Sequence, residues 1–414
     1  MKAIVPTISS SLVIFFLALY LTAMPAQAVP SFARQTGQAC QSCHTIFPEL
    51  TPFGRRFKLN GYTMTNIKQI EAPKKGLKIN ETPPLSFMLQ VSATHAKTDT
   101  PTTNIDLPDQ LSLLYAGEIS SNIGSFIQLT LEGASGTFGM DNTDIRYANQ
   151  AGAVIYGATL NNNPTVQDVW NSTQAWGYPF THGAGVTTPV VNSLGGAVAG
   201  LGGYADWGNG LYTELSFYRD TGSFDANDVG IPSSTITTAR VNGVAPYWRL
   251  AWNNTFASGD MLMLGTYGMQ TTLYDLPSSG TPSGQHDNYL DVAIDAQYEH
   301  TMGNGKDTIS AHATYTTEEQ TLDFSSPGDS PTLKSTRVDG NYHWGHEAAA
   351  TLAYNYNTGF NGAYDDAAWT AQLSYLPWQN TKFTLQYVAY TKLGGITNNA
   401  SDDNTTLLQG WFMW

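Results

Sequence analysis

The sequence predicts an all-β outer-membrane β-barrel of about 16 antiparallel strands, preceded by a small α-helical N-terminal domain. Three observations carry that prediction. From Leu85 onward apolar and polar residues alternate with period two, the mark of strands with one face in each of two environments. Tight Gly/Asn turns alternate with long polar connections, as in a barrel with short turns at one rim and loops at the other. Ahead of both stands Cys40-Gln41-Ser42-Cys43-His44, which holds the only 2 cysteines of the 414 residues.

The first element is residues 1–28. Lys2 supplies a positive n-region, Val13 to Leu21 an apolar h-region and Ala26-Gln27-Ala28 a small-residue cleavage site, which together predict a secretory signal peptide. The alternative, an uncleaved anchor, is disfavoured because the apolar run is too short to cross a bilayer. Maturation is expected near Val29, in an exported compartment.

Residues 29–82 form the second element. The pattern C-x-x-C-H is the attachment signature of a c-type haem. Two thiols three positions apart can both form thioethers to the porphyrin, and the adjacent imidazole then lies over the iron. The expected cofactor is therefore one covalent haem c on Cys40 and Cys43, with His44 as axial ligand. A disulfide or thioredoxin-like dithiol needs no following His and expects a βαβ setting, and zinc expects a second ligand pair that the sequence lacks. Thr51-Pro52 reads as an N-cap followed by Pro at the first helical position, and Asn60-Gly61 as a stop. This predicts one short helix whose Phe53 and Phe57 cover the porphyrin. Met64 is the expected second axial ligand and would raise the haem potential, with His95 the alternative and simple packing the bland reading of Met64.

Charge divides the chain. Arg34, Arg55, Arg56, Lys58, Lys68, Lys74, Lys75 and Lys78 face only Glu49, Glu71 and Glu81 in this domain, whereas the chain as a whole is acidic at -14. The two parts should attract each other, and an acidic body argues against nucleic acid as a partner. A domain this small has a marginal core unless a cofactor or a partner surface completes it.

Residues 83–414 form the third element, joined through Pro83-Pro84. Leu85 to Thr94, Gln128 to Glu132, Asp291 to Asp295 and Phe383 to Tyr387 show the alternation. Asn122-Ile123-Gly124, Gly208-Asn209-Gly210, Ser258-Gly259-Asp260, Gly303-Asn304-Gly305 and Trp344-Gly345-His346 read as tight turns; 160–192, 221–243, 274–286, 321–332 and 395–404 read as long connections. The chain ends in an aromatic strand, Leu408 to Trp414. A soluble sandwich or propeller is disfavoured by the signal peptide and by the many aromatics, 22 Tyr and 10 Trp, suited to membrane interfaces. A barrel of this size leaves a lumen that the small N-terminal domain could plug.

Phe32-Ala33-Arg34-Gln35-Thr36-Gly37, the C-x-x-C-H pentapeptide, Phe53-Gly54-Arg55-Arg56-Phe57 and Gly61-Tyr62-Thr63-Met64 resemble the start of the fused cytochrome c-porins, which include the outer-membrane iron-oxidising monohaem cytochromes c of iron-oxidising bacteria. Asn161 to Ser172, followed by Ala175-Trp176-Gly177, resembles a second signature of that family. The resemblance implies one haem c on Cys40, Cys43 and His44, a porin-like barrel around or above it, and electron transfer across the outer membrane. It leaves direction and donor open.

The leading expectation is an electron path from extracellular Fe(II) to the haem and on to a soluble periplasmic cytochrome c or copper protein. Asp168, Asp220, Asp225, Asp228, Asp275, Asp402 and Asp403 are candidate hard-oxygen contacts for the cation, but a solvated loop carboxylate is the better reading of each, and no iron site is assigned. Outward electron export and a solute porin with a structural haem plug are the alternatives. The remaining histidines show no triad spacing with Ser, so hydrolysis is not expected, and His343 and His346 read as turn or interface residues.

Overall fold

A computed structural model describes residues 29–65, 69–70, 79–97, 102–133, 136–178, 184, 186, 188–221, 224–225, 238–275 and 284–414. The predicted signal peptide lies outside the described residues, as do Lys68, Lys74, Lys75, Lys78 and Asp228. Three short helices open the chain: α1 (Pro30–Thr36), α2 (Cys40–Cys43) and α3 (Pro52–Leu59). Sixteen strands follow, β1 (Leu85–Ala96), β2 (Thr102–Ser120), β3 (Ile123–Glu132), β4 (Thr137–Ala151), β5 (Val154–Asn161), β6 (Val198–Asp206), β7 (Leu211–Asp220), β8 (Ala245–Thr255), β9 (Met261–Asp275), β10 (His286–Thr301), β11 (Thr308–Thr321), β12 (Thr332–Trp344), β13 (Ala348–Thr358), β14 (Asp366–Trp378), β15 (Thr381–Lys392) and β16 (Thr405–Met413).

Each strand pairs antiparallel with its sequence neighbours, and β16 pairs with β1, Met413 opposite Met88 and Thr405 opposite Ala96, so the sheet closes into a barrel. Closure pairs both edges of each of the sixteen barrel strands, and a separate two-residue hairpin, Gln69–Ile70 with Ile79–Asn80, stands apart from the barrel sheet. Thr238–Val241 continues β8 across a break by pairing with Leu273 to Asp275 on β9, and Phe224–Asp225 folds onto it at the rim.

The five expected tight turns join β2 to β3, β6 to β7, β8 to β9, β10 to β11 and β12 to β13. Two more lie at the same rim that the sequence reading did not single out. Gly152, at φ +62, turns β4 into β5, and Gln379-Asn380 turns β14 into β15 with no glycine to announce it. At the opposite rim 162–197 and 221–244 are the longest connections, while 97–101 and 133–136 are short.

The polarity is inside out relative to a soluble sandwich. Outward positions are apolar and open, among them Ile294, Leu373 and Leu408, each at least 57% exposed. Inward positions are polar and buried, including Gln128, Asp144, Arg146, Glu214, Arg249, Asp295 and His312. A lipid-facing wall around a polar interior is what this alternation builds.

Inside the ring sit residues 29–65. Ser31 donates to the Ala116 carbonyl on β2 at 2.7 Å, Tyr62 to Asp144 on β4 at 2.7 Å, and Tyr204 on β6 to the Leu59 carbonyl at 2.7 Å. From the other side Arg55 reaches Glu299 on β10 at 3.0 Å, and Lys382 on β15 donates to the Phe47 carbonyl at 3.1 Å. Contacts with strands on all sides place the segment in the lumen. The expected charge attraction survives as the Arg55–Glu299 pair, but Lys58 donates to the Val166 and Asp168 carbonyls rather than to a carboxylate.

Candidate functional site

Local geometry positions the C-x-x-C-H residues. α1 ends at Gly37, whose φ of +67 lets its N–H reach back to the Ala33 carbonyl. The chain then reverses into α2, a single turn that carries Cys40 and Cys43 on neighbouring positions of one face. Thr51 caps α3 by accepting from the Gly54 N–H at 3.2 Å, as the sequence signals, and its hydroxyl also donates to the Ser42 carbonyl at 2.6 Å. α3 crosses so close to α2 that a Cβ on Gly54 would stand 2.2 Å from the Cys43 carbonyl oxygen. That contact explains a glycine inside a helix, where it otherwise weakens the element.

Cys40, Cys43 and His44 border one cavity of about 520 Å³ between the plug and the barrel wall. Its size lies within the range of cofactor and ligand pockets. Phe32, Phe47, Phe57, Leu114 and Trp411 give it an apolar lining, and Cys40 packs with Phe47 and Trp411. Phe57 lines the cavity as predicted; Phe53 is absent from the lining. Phe57 instead shares an aromatic cluster with Phe32 and Tyr62, ring centroids 5.0 to 5.9 Å apart.

The His44 ring is oriented by its Nδ1, which lies 3.3 Å from the carbonyl oxygens of both Pro48 and Glu49. Carbonyls only accept, so Nδ1 carries the proton and Nε2 keeps a lone pair. Burial outweighs these hydrogen bonds and holds the imidazole at about 4, hence neutral. Burial, with Cys40 alongside, pushes the Cys43 thiol up to about 11. Two thiols, a neutral imidazole with a free Nε2 and an apolar cavity of this volume are the donor set and the space that a c-type haem requires.

Glu49 completes the seat. Its carboxylate is fully buried, 3.4 Å from His343 Nε2 on β12 and 3.8 Å from His312 Nε2 on β11, while His312 Nδ1 meets Asp339 at 2.8 Å. Burial alone would raise the Glu49 carboxyl, but the His343 and His312 imidazoles override it and hold it at about 2. Among the described residues no group of three or more His, Cys, Asp or Glu side chains is disposed to hold a metal ion.

The structure disperses the other candidates. Met64 is 37% exposed and does not line the cavity. His95 sits at the exposed end of β1 against Thr103. Asp220 pairs with Arg240, Asp402 with Lys97 at 3.4 Å, Asp275 is buried at the end of β9 and Asp403 is exposed. Of Asp225 only the backbone is described. Asp168 is not a solvated loop carboxylate: it is buried, 3.2 Å from Arg249 and accepting from Thr173 at 2.8 Å. His343 faces Glu49 inside the barrel, and His346 lies exposed in the turn.

Residues 162–178, the described first part of the connection after β5, fold inward and roof the cavity. Val169, Asn171 and Trp176 line it, Asn171 accepts from the Leu50 N–H at 3.1 Å, and Lys58 stands 4.6 Å over the Trp176 ring. Two further lining residues, Met88 and Met413, were not singled out by sequence reasoning. A usable signal existed for Met88, an apolar residue at an even position of β1 where the alternation calls for a polar one.

No protein-family model and no curated protein matches the chain. Among solved structures the chain is similar to OmpF of Salmonella typhi in complex with daunomycin, with a TM-score of 0.52 at 11% identity over 84% of this chain and 100% of that one. The outer membrane channel DcaP of Acinetobacter baumannii gives 0.49 at 13% identity, covering 83% and 99%. The anion-selective porin of Comamonas acidovorans gives 0.49 at 12%, covering 80% and 98%. At such identities the OmpF likeness establishes the fold: a porin-like barrel of sixteen antiparallel strands.

Proposed function

We propose that the chain is an outer-membrane cytochrome-porin fusion that carries electrons through the barrel by one covalently held haem c. The observation that supports this most is the convergence of Cys40, Cys43 and a neutral His44 with a free Nε2 on a single apolar cavity. A haem bound there supplies a one-electron couple at iron. The chain's own residues do the rest. Cys40 and Cys43 would fix the group and His44 would ligate it, while the Pro48 and Glu49 carbonyls set the imidazole's tautomer and angle. Phe32, Phe47, Phe57 and Trp411 exclude water from the porphyrin faces, and the wall keeps lipid away. The net charge of -14 favours cations near the rim, which fits extracellular Fe(II) as donor and a soluble periplasmic cytochrome c or copper protein as acceptor. The reverse flow uses the same parts.

The test is spectroscopic. Cys43→Ala or His44→Ala should abolish the haem spectrum of the purified protein while heat-modifiable barrel migration persists. Wild-type protein that carries no covalent haem when produced with a haem-attachment system sinks the reading. Ferrous iron should reduce the wild-type haem, and a haem that stays oxidised with Fe(II) at every pH removes iron as the donor.

A solute porin is the second reading, favoured by the fold shared with OmpF. The plug tied across the lumen weighs against free passage.

A further inference from the structure

We infer that Met88, from the barrel wall, is the second axial ligand of the haem; this rests on the haem reading above. The cavity that would take the porphyrin is lined by few groups, besides His44, that commonly coordinate haem iron. Among the described residues His44 is its only histidine, and Met64 is not among its lining residues. Lys58 lines the cavity but spends its ammonium on the Val166 and Asp168 carbonyls, at 2.5 and 2.8 Å. Tyr62 donates its hydroxyl to Asp144 at 2.7 Å. Asp141 accepts from Thr130 and Asp168 is paired with Arg249. Among the described lining residues two thioethers remain, Met88 on β1 and Met413 on β16, directly opposite each other in the closing ladder.

Both methionines are buried, at 3% and 4% exposure, on the inward face that also presents Trp411, the ring against which Cys40 packs. The wall against which Cys40 packs is therefore the wall that carries the sulfurs. Met88 is the one whose sulfur is oriented. Gln90 Nε2 approaches Met88 Sδ at 3.7 Å, and a thioether that accepts one hydrogen bond keeps a second lone pair for a metal. The fixed contacts of Met413 are those of its backbone, whose N–H donates to the Asn380 carbonyl and whose carbonyl accepts from Asn380 Nδ2. Placing the two axial ligands on separate parts of the chain, His44 on the plug and Met88 on the barrel, makes the haem itself a tie between them.

The experiment compares ferric near-infrared and reduced visible spectra of the full-length haem protein with those of Met88→Ala, Met88→His, Met413→Ala and Met64→Ala. The wild type should show the ferric charge-transfer band of thioether ligation. That band should be lost in Met88→Ala, replaced by a bis-imidazole spectrum in Met88→His, and kept in Met413→Ala and Met64→Ala. The midpoint potential should fall in both Met88 variants. Met88→His also guards against misfolding of the alanine variant, since its new ligation is visible only in an assembled site. The inference is overturned if the wild-type haem lacks the band, if Met88→Ala retains it, or if Met413→Ala or Met64→Ala loses it. A wild type with no covalent haem overturns the functional reading as well, which separates the two failures.

Discussion

Glu49 shows how much one side chain can hold in place. It is the carboxylate of a basic plug that faces the barrel's interior imidazoles, and its backbone carbonyl orients His44. Removing one partner of a fully buried charge pair leaves the other uncompensated. Glu49→Gln is therefore expected to weaken seating of the plug by about 3 kcal/mol, read as a lower urea concentration at which protease reaches residues 29–65 while the barrel stays folded. Such long-range partners were not legible in the sequence, because His312 and His343 lie more than two hundred residues from Glu49 and carry no local signal. Cys40, Cys43 and His44 were legible as a candidate site because their motif is written in adjacent positions. Met88 was half legible: the alternation marks position 88 as inward, and only the identity of the residue there is out of phase.

Among the elements, the strands were the easiest to read, since each records its two environments in every second residue. Turns were legible at Gly208, Gly259 and Gly305, where glycine at positive φ makes them, but not at Gly152, which shares that conformation, nor at Gln379-Asn380, where the flanking pairing makes the turn. α3 was read from its cap, but α1 and α2 were not, being too short to show a period. The connection 162–197 is the element most changed by the structure. Polar residues there suggest a surface loop, yet Gln167, Asp168, Asn171 and Thr173 are buried because the lumen supplies their partners. Asp168 locks the loop to Arg249, which also bonds Asp295 at 2.8 Å. Asp168→Asn should cost about 1–3 kcal/mol locally and raise the rate of limited proteolysis within 162–178, with β8 and β10 unaffected in hydrogen exchange. Unchanged cleavage would show that the roof is held by Trp176 and Asn171 instead.

For the molecule as a whole, plug and wall are distinct in charge and architecture but joined by contacts around the circumference. Deleting residues 29–82 should convert a channel that passes little current in planar bilayers into one with stable, voltage-independent conductance of at least tenfold greater size, an order-of-magnitude expectation for a water-filled lumen of about 16 strands. Equal conductance with and without the segment would mean that the lumen is already open and would favour solute passage. The closing ladder carries a consequence for biogenesis. β1 follows the plug directly in the chain, yet it finds its second partner only in β16, the last strand to be made. Pairing of such remote segments is slow, because the intervening chain must be ordered before the contact is rewarded. The plug is thus synthesised first and enclosed last. During that interval its two thiols stand outside any wall, open to the haem attachment proposed above, before the final ladder shuts the door on them.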